Sequence, residues 1–186
     1  MTFRDPDRRR LASLLKERSV KVGEFRLASG QTSSVYVDVK KTSLTGEGAQ
    51  LIGLGLWDLC QQVAPQVVAA GGLTLGADPL LTAMAIAAHQ DGNQLDSIIV
   101  RKATKEHGTR QALEMPGELL PGQRVVAIDD VITTAGSTLE AIARLREAGF
   151  VVEDALCVVD RQSGGEQALA EAGVRLHSLF LLQDLL

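Results

Sequence analysis

Apolar positions change their period several times along the chain. Behind Asp5-Pro6 the run RRRLASLLKERS repeats leucine at helical spacing, which predicts an amphipathic helix with Asp5 as N-cap and Pro6 in its first turn. Over 20–39 the period drops to two: Val35, Val37 and Val39 alternate with Tyr36 and Asp38, the mark of strands. Leu51, Ile52, Leu54, Leu56 and Leu59 restore helical spacing across 46–63. Beyond that point the alternation is regular. Short apolar runs at 67–70, 97–100, 124–128, 151–160 and 174–181 read as strands, and helices are expected at 79–89, up to 148, and at 165–172. Strands alternating with helices of this length predict an α/β fold, a mostly parallel sheet flanked by helices on both faces. No repeat or linker divides it, so 1–186 is expected to be a single domain with a small N-terminal appendage.

One connection breaks this rhythm. More than twenty residues separate the run ending at Val100 from the one starting at Arg124, with neither helical nor clear strand periodicity. Connections in compact α/β domains usually take about 2–6 residues, and long exceptions tend to serve an active site. This one opens RKATKEHGTR, setting Arg101, Lys102, Lys105 and Arg110 against Glu106 alone. A basic, histidine-bearing loop points to an anionic ligand.

The stretch VVAIDDVITTAGSTLEAI, residues 125–142, says where that ligand binds. Val125 to Ile128 are apolar throughout, as in a strand covered on both faces, so Asp129 and Asp130 are expected at its carboxyl end. Leu139, Ile142, Ala143 and Leu145 continue as a helix, which leaves 133–138 at that helix's N-terminus. Free N–H groups, the helix dipole and clustered hydroxyls make such a turn a phosphate site, with Gly136 allowing close approach. Carboxylates beside a phosphate turn would repel the phosphate unless they face another part of the ligand. A vicinal diol fits, since it donates two hydrogen bonds and carboxylates accept them. A ribose 5-phosphate spans both halves in one pose.

Composition narrows the classes. The chain has 186 residues, 45% hydrophobic and 23% charged, with 18 glycines and few aromatics, which suits a close-packed soluble domain. Its net charge of −4 argues against a nucleic-acid surface as the main function. No apolar run reaches the ~18 residues of a membrane span. The opening MTFRDPDRRR lacks a signal peptide's apolar core, so a cytoplasmic protein is expected. Cys60 and Cys157 read as buried thiols, and His89 and His177 as structural. GxxxxGK[ST] and a strand followed by GxGxxG are both missing, so P-loop and dinucleotide sites have no support.

Asp129-Asp130-Val131-Ile132-Thr133-Thr134-Ala135-Gly136-Ser137 resembles the phosphoribosyl-pyrophosphate (PRPP) signature of the type I phosphoribosyltransferases. Other segments are similar to those of the orotate phosphoribosyltransferases. Phe25 to Gly30 with Tyr36-Val37-Asp38 resembles their N-terminal hood, and Gly71 to Pro79 their pyrophosphate loop. Arg101-Lys102-x-x-Lys105-x-His107-Gly108 resembles their catalytic loop, and Val159-Asp160-Arg161 their orotate-side arginine. The resemblance implies the type I phosphoribosyltransferase fold, with a hood over roughly 1–45 and a PRPP-binding core over roughly 46–186. It also implies transfer of ribose 5-phosphate from PRPP to orotate in pyrimidine (UMP) biosynthesis, giving orotidine 5′-monophosphate and pyrophosphate.

On that resemblance Lys105, His107, Asp129 and Asp130 are catalytic. Arg101, Lys102 and the stretch 129–137 complete the PRPP site, while Thr133 and Arg161 meet orotate. Mg²⁺ is carried mainly on PRPP, with no metal ligand drawn directly from the protein. A homodimer is implied, in which the 101–110 loop reaches the neighbouring site.

Two positions depart from the pattern: Ala28 and Leu75 stand where many relatives have lysine, and Arg26 and Lys40 are the nearby cations. Two other readings remain at this stage. A purine or uracil transferase would share the PRPP signature. A non-catalytic PRPP-sensing regulator would need a nucleic-acid surface that an acidic chain does not advertise.

Overall fold

The computed structural model describes residues 2–26, 32–102, 112–117 and 119–186. Helix α1 (Asp5–Arg18) forms as expected, but its N-cap is Arg4, whose N–H donates to the Asp7 carboxylate at 3.1 Å. Asp5 is therefore the first helical residue, where its charge still complements the helix dipole. Leu11 and Leu15 of α1 are buried in the main core. Strands β1 (Val20–Arg26) and β2 (Thr32–Val37) form an antiparallel hairpin apart from the main sheet, pairing Val20 with Val37 and Val22 with Val35. A single-turn helix α2 (Lys40–Ser43) leads into α3 (Gly46–Val63), which occupies the expected span.

The rest is a six-stranded sheet. In chain order come β3 (Ala69–Leu73), α4 (Asp78–Gln90), β4 (Asp96–Val100), β5 (Leu113–Glu114) and β6 (Val125–Ile132). Then follow α5 (Gly136–Glu147), β7 (Asp154–Asp160), α6 (Gly165–Glu171), β8 (Arg175–Leu181) and a closing 3-10 turn at Leu182–Leu185. The strand order is β5-β4-β3-β6-β7-β8, parallel except for β5. Alternation along β6 turns Val126 and Ile128 toward the layer of α1, α3 and α4, and Val125 and Ala127 toward α5 and α6. Both faces are thus covered, as the unbroken apolar run requires. After β3 the chain steps outward to β4, then returns to lay β6 on the other side of β3. The gap between β3 and β6 is a topological switch point, where open α/β sheets bind ligands.

Three expectations need correction. The strand expected to end at Ile128 continues to Ile132, with Asp129 paired to Cys157 and Ile132 to Asp160, so both aspartates lie within the strand. The stretch from Gly71 to Pro79, likened to a loop, begins inside β3, which runs on to Leu73. A Cβ on Gly72 would lie 2.4 Å from both the Ala77 Cβ and the Ile128 carbonyl oxygen, so glycine here lets chain segments meet closely. The long basic connection also contains β5, bonded antiparallel to β4 through Ile99–Glu114 and Val100–Leu113. Among the described residues no helix is long and apolar enough to cross a membrane.

Candidate active site at the switch point

Because side chains alternate along a strand, Asp129 and Asp130 leave β6 on opposite faces. Asp129 turns toward α5 and is 8% exposed. Its Oδ1 accepts from the Asp130 N–H at 2.9 Å and its Oδ2 from the Thr138 hydroxyl at 2.7 Å. Burial raises its pKa to about 6; the Thr138 bond opposes that rise and the neighbouring Asp130 charge adds to it. Asp130 turns the other way. Its Oδ1 accepts from the Val131 N–H, and its Oδ2 lies 3.2 Å from Lys40 Nζ.

Lys40 also holds Asp38 at 3.0 Å. Partial burial lowers its pKa, but the bonds to Asp38 and Asp130 outweigh that and leave it raised, so it stays charged.

The second wall of the crevice is the 74–77 loop between β3 and α4. Its Thr74–Leu75 peptide is cis, and the Thr74 hydroxyl donates to the Asp78 carboxylate at 2.7 Å. A Cβ on Gly76 would sit 3.0 Å from Asp130 Oδ1, so this loop passes directly over the carboxylate. Leu75, one of the two departures, is 73% exposed. Lys40 and Leu75 both line one cavity with Leu44, Asp78 and Pro79.

The third element is the 133–137 turn. Ala135 takes a left-handed conformation at φ 63° as N-cap of α5, without a side-chain cap, and no acidic residue stands in the first helical turn. It is thus Ala135, rather than Gly136, that supplies the unusual backbone angle. Nothing lies within 4 Å of where a Gly136 Cβ would be, so the space above the helix start is open. Thr134, Gly136 and Ser137 are exposed, Thr133 is half-buried, and Ile132 belongs to the core. Beneath them α6 packs so closely that a Cβ on Gly165 would meet Ile132 Cγ2 at 2.4 Å.

Arg161 is no isolated surface charge. Its N–H donates to the Ile132 carbonyl at 2.9 Å and its Nη2 to the Val35 carbonyl at 3.2 Å, joining the end of β7 to the hairpin. Asp160 beside it is buried and accepts from the Gln162 N–H. Arg101, expected to face PRPP, sends its guanidinium to Glu114 at 2.6 Å, and its N–H to the Ala112 carbonyl. Lys102 is exposed. Lys105 and His107, with the rest of 103–111, lie outside the described residues, as does Ala28.

The structure therefore brings together Asp129, Asp130, the 133–137 turn and Arg161, with Arg101 and Lys102 at the foot of the basic loop. Sequence reading placed Thr138 among the hydroxyls of the phosphate turn, whereas it is buried and holds Asp129, and it named Lys40 only as a nearby cation. A signal for Thr138 existed: it stands on the apolar stripe of Ala141, Ile142 and Leu145, where a hydroxyl calls for a buried partner. Chemically, the crevice offers backbone and hydroxyl donors at one end, carboxylate acceptors in the middle and a lysine beyond. Among the described residues no group of three or more His, Cys, Asp or Glu could cage a metal.

No protein-family model matches the chain. It is 44% identical over 178 residues to the orotate phosphoribosyltransferase of Thermosynechococcus vestitus, covering 96% of this chain and 92% of that one. Among solved structures, the Mycobacterium tuberculosis orotate phosphoribosyltransferase in complex with Fe(III) dicitrate superposes with a TM-score of 0.83 at 36% identity, covering 97% and 99% of the two chains. The same enzyme in complex with 5-phospho-alpha-D-ribosyl 1-diphosphate (PRPP) gives 0.80 at 34%, with coverage of 97% and 99%.

Proposed function

The chain belongs to the orotate phosphoribosyltransferase family, and on that footing we propose how the crevice between β3 and β6 performs the reaction. The enzyme transfers ribose 5-phosphate from PRPP to orotate in pyrimidine biosynthesis, releasing pyrophosphate. The bond from C1′ to the diphosphate oxygen breaks, its electron pair leaving with pyrophosphate, and orotate N1 bonds to C1′ while its proton is given up to the released pyrophosphate or water.

The 5-phosphate sits on the 133–137 turn, held by N–H groups and hydroxyls, while half-buried Val131 stands at the approach and Ile132 packs in the core beneath. Asp130 and Asp129 accept the ribose hydroxyls and stabilise the positive charge that grows on the sugar ring as the diphosphate departs. Thr138 holds Asp129 in place. The diphosphate lies along the 74–77 loop. Lys102, Lys105 and His107 neutralise its growing charge, while Arg101 fastens the loop's root through Glu114. Arg161 and the Thr133 backbone receive orotate. The observation that carries this reading is the uncapped start of α5 beside the two carboxylates at a switch point.

Mg²⁺ fits these residues as an ion brought by PRPP. Its ligands would be phosphate oxygens of PRPP and water, with no carboxylate of the chain bound to it directly, since Asp130 and Asp129 accept the ribose hydroxyls. When bound, it would offset part of the diphosphate charge. We further propose a single domain, with a hood over roughly 1–45 and a core over 46–186. It works as a cytoplasmic homodimer whose 101–110 loop serves the partner's site.

The test is turnover with PRPP and Mg²⁺ against orotate, uracil, adenine and hypoxanthine in parallel. Orotate alone should be consumed, one for one with pyrophosphate released. Turnover of another base instead would replace the base assignment, and PRPP binding without any transfer would leave a sensor.

A further inference from the structure

Lys40 opens α2, where the N-terminal hairpin passes into the core, and its ammonium reaches across to β6. Its Nζ lies 3.0 Å from Asp38 Oδ1 and 3.2 Å from Asp130 Oδ2, so one cation joins the end of the hairpin to a carboxylate of the crevice. An ammonium has three donors, and these contacts engage two of them. The side chain is still 43% exposed. It lines a cavity of about 440 Å³ with Leu44, Leu75, Asp78, Pro79 and Thr82, so the third donor has open space to face.

An exposed ion pair between two segments would ordinarily be a strut and little more. The surroundings of Lys40 ask for more than that. The 74–77 loop, Thr74-Leu75-Gly76-Ala77, carries no charged side chain. It passes so close that a Cβ on Gly76 would stand 3.0 Å from Asp130 Oδ1. A diphosphate lying along this loop meets the Asp130 carboxylate at short range, where like charges repel. Asp78 turns its Oδ2 to the Thr74 hydroxyl, and its place in the first turn of α4 offsets its charge. Among the described residues that line the cavity, Lys40 is the cation. It also belongs to the subunit that supplies the aspartates, whereas the basic loop of the proposed dimer arrives from the partner.

We propose that Lys40 is a substrate-binding residue whose third donor meets the diphosphate of PRPP and screens it from Asp130. This rests on the path of the diphosphate given above. Asp38 keeps the ammonium aimed into the crevice, and Asp130 Oδ2 keeps a lone pair for a ribose hydroxyl. The two halves of the ligand therefore depend on Lys40 differently. Pyrophosphate needs its charge, while ribose 5-phosphate carries the hydroxyls and no diphosphate.

Calorimetric titrations of the full chain with Mg²⁺ present separate the two halves. Lys40→Met keeps the aliphatic stem and removes the charge. It should weaken inorganic pyrophosphate about tenfold or more, with ribose 5-phosphate kept within about twofold. Lys40→Arg should restore most of the pyrophosphate affinity. Lys40→Gln replaces the methionine form if that form does not fold. An equal loss for both ligands would make Lys40 a strut for Asp130 and overturn the inference. Leu75→Glu, at a side chain that is 73% exposed, tests the path itself, since a negative charge on the loop should also weaken pyrophosphate. Weakening by Leu75→Glu with none by Lys40→Met overturns the inference and keeps the path; no weakening by either removes both.

Discussion

A carboxylate that is 8% exposed and shifted to about 6 opposes folding whenever it is ionised. Because its folded pKa is raised, the stability linked to Asp129 is fully present below the unfolded value of about 3.9 and is lost as pH rises through about 6. Asp129→Asn removes that loss and keeps its contacts, since the amide oxygen can accept from the Asp130 N–H and the amide N–H₂ can donate to the Thr138 hydroxyl. The gain in unfolding midpoint over the parent should grow between about pH 4 and pH 7 and then level off. Turnover should fall about a hundredfold, as for other lost transition-state charge contacts. Thermal melts across pH, with a rate at pH 7.5, check both parts. A less stable variant at pH 7.5, or one within twofold of parental turnover, would contradict them. The aspartate pair was legible in the sequence as a ligand site. That the two carboxylates leave on opposite faces was not, because the strand was ended at the first charged residue, whereas β6 carries both within its ladder.

At the scale of elements, two glycines separate what the fold needs from what the ligand needs. Gly72 admits the Ala77 Cβ and the Ile128 carbonyl, so Gly72→Ala forces backbone apart and should destabilise by about 1–3 kcal/mol. Gly136 has open space above it at a helix start, and Gly136→Ala should leave stability unchanged or raise it by at most about 1 kcal/mol. The added methyl should nevertheless raise the KM for PRPP, because it enters the space proposed for the phosphate. Denaturant titrations with PRPP saturation curves separate the two, and a destabilised Gly136→Ala with normal KM would reverse the assignment. Long periodic elements were readable: α3 was expected over 46–63 and spans Gly46–Val63. The two-residue β5 was not, because it is too short to show a period and exists through its pairing with β4. Gly71 and Gly72 belong to the stretch likened to a loop, but they lie in β3, where glycine at 72 lets Ala77 and Ile128 come close.

For the whole molecule, periodicity supplies the order of elements and leaves adjacency open. Nothing in the apolar pattern says that β6 lies beside β3, although that neighbour relation brings the 74–77 loop over Asp130. The motif at 129–137 carried the location of the site instead, through the chemistry of its side chains. The proposed dimer makes a further demand on the assembly. If the 101–110 loop serves the partner's site, Lys105→Ala and Asp129→Asn should each be nearly inactive alone. After verified subunit exchange their mixture should regain up to about a quarter of parental activity, from heterodimers with one intact site. No recovery would place Lys105 in its own subunit's site.

The most direct test of the account is a crystal structure of the chain with orotidine 5′-monophosphate. The phosphate should lie on the 133–137 turn, the ribose hydroxyls on Asp130 and Asp129, and the base toward Arg161. A phosphate found at the 74–77 loop, with the aspartates turned from the ribose, would contradict it.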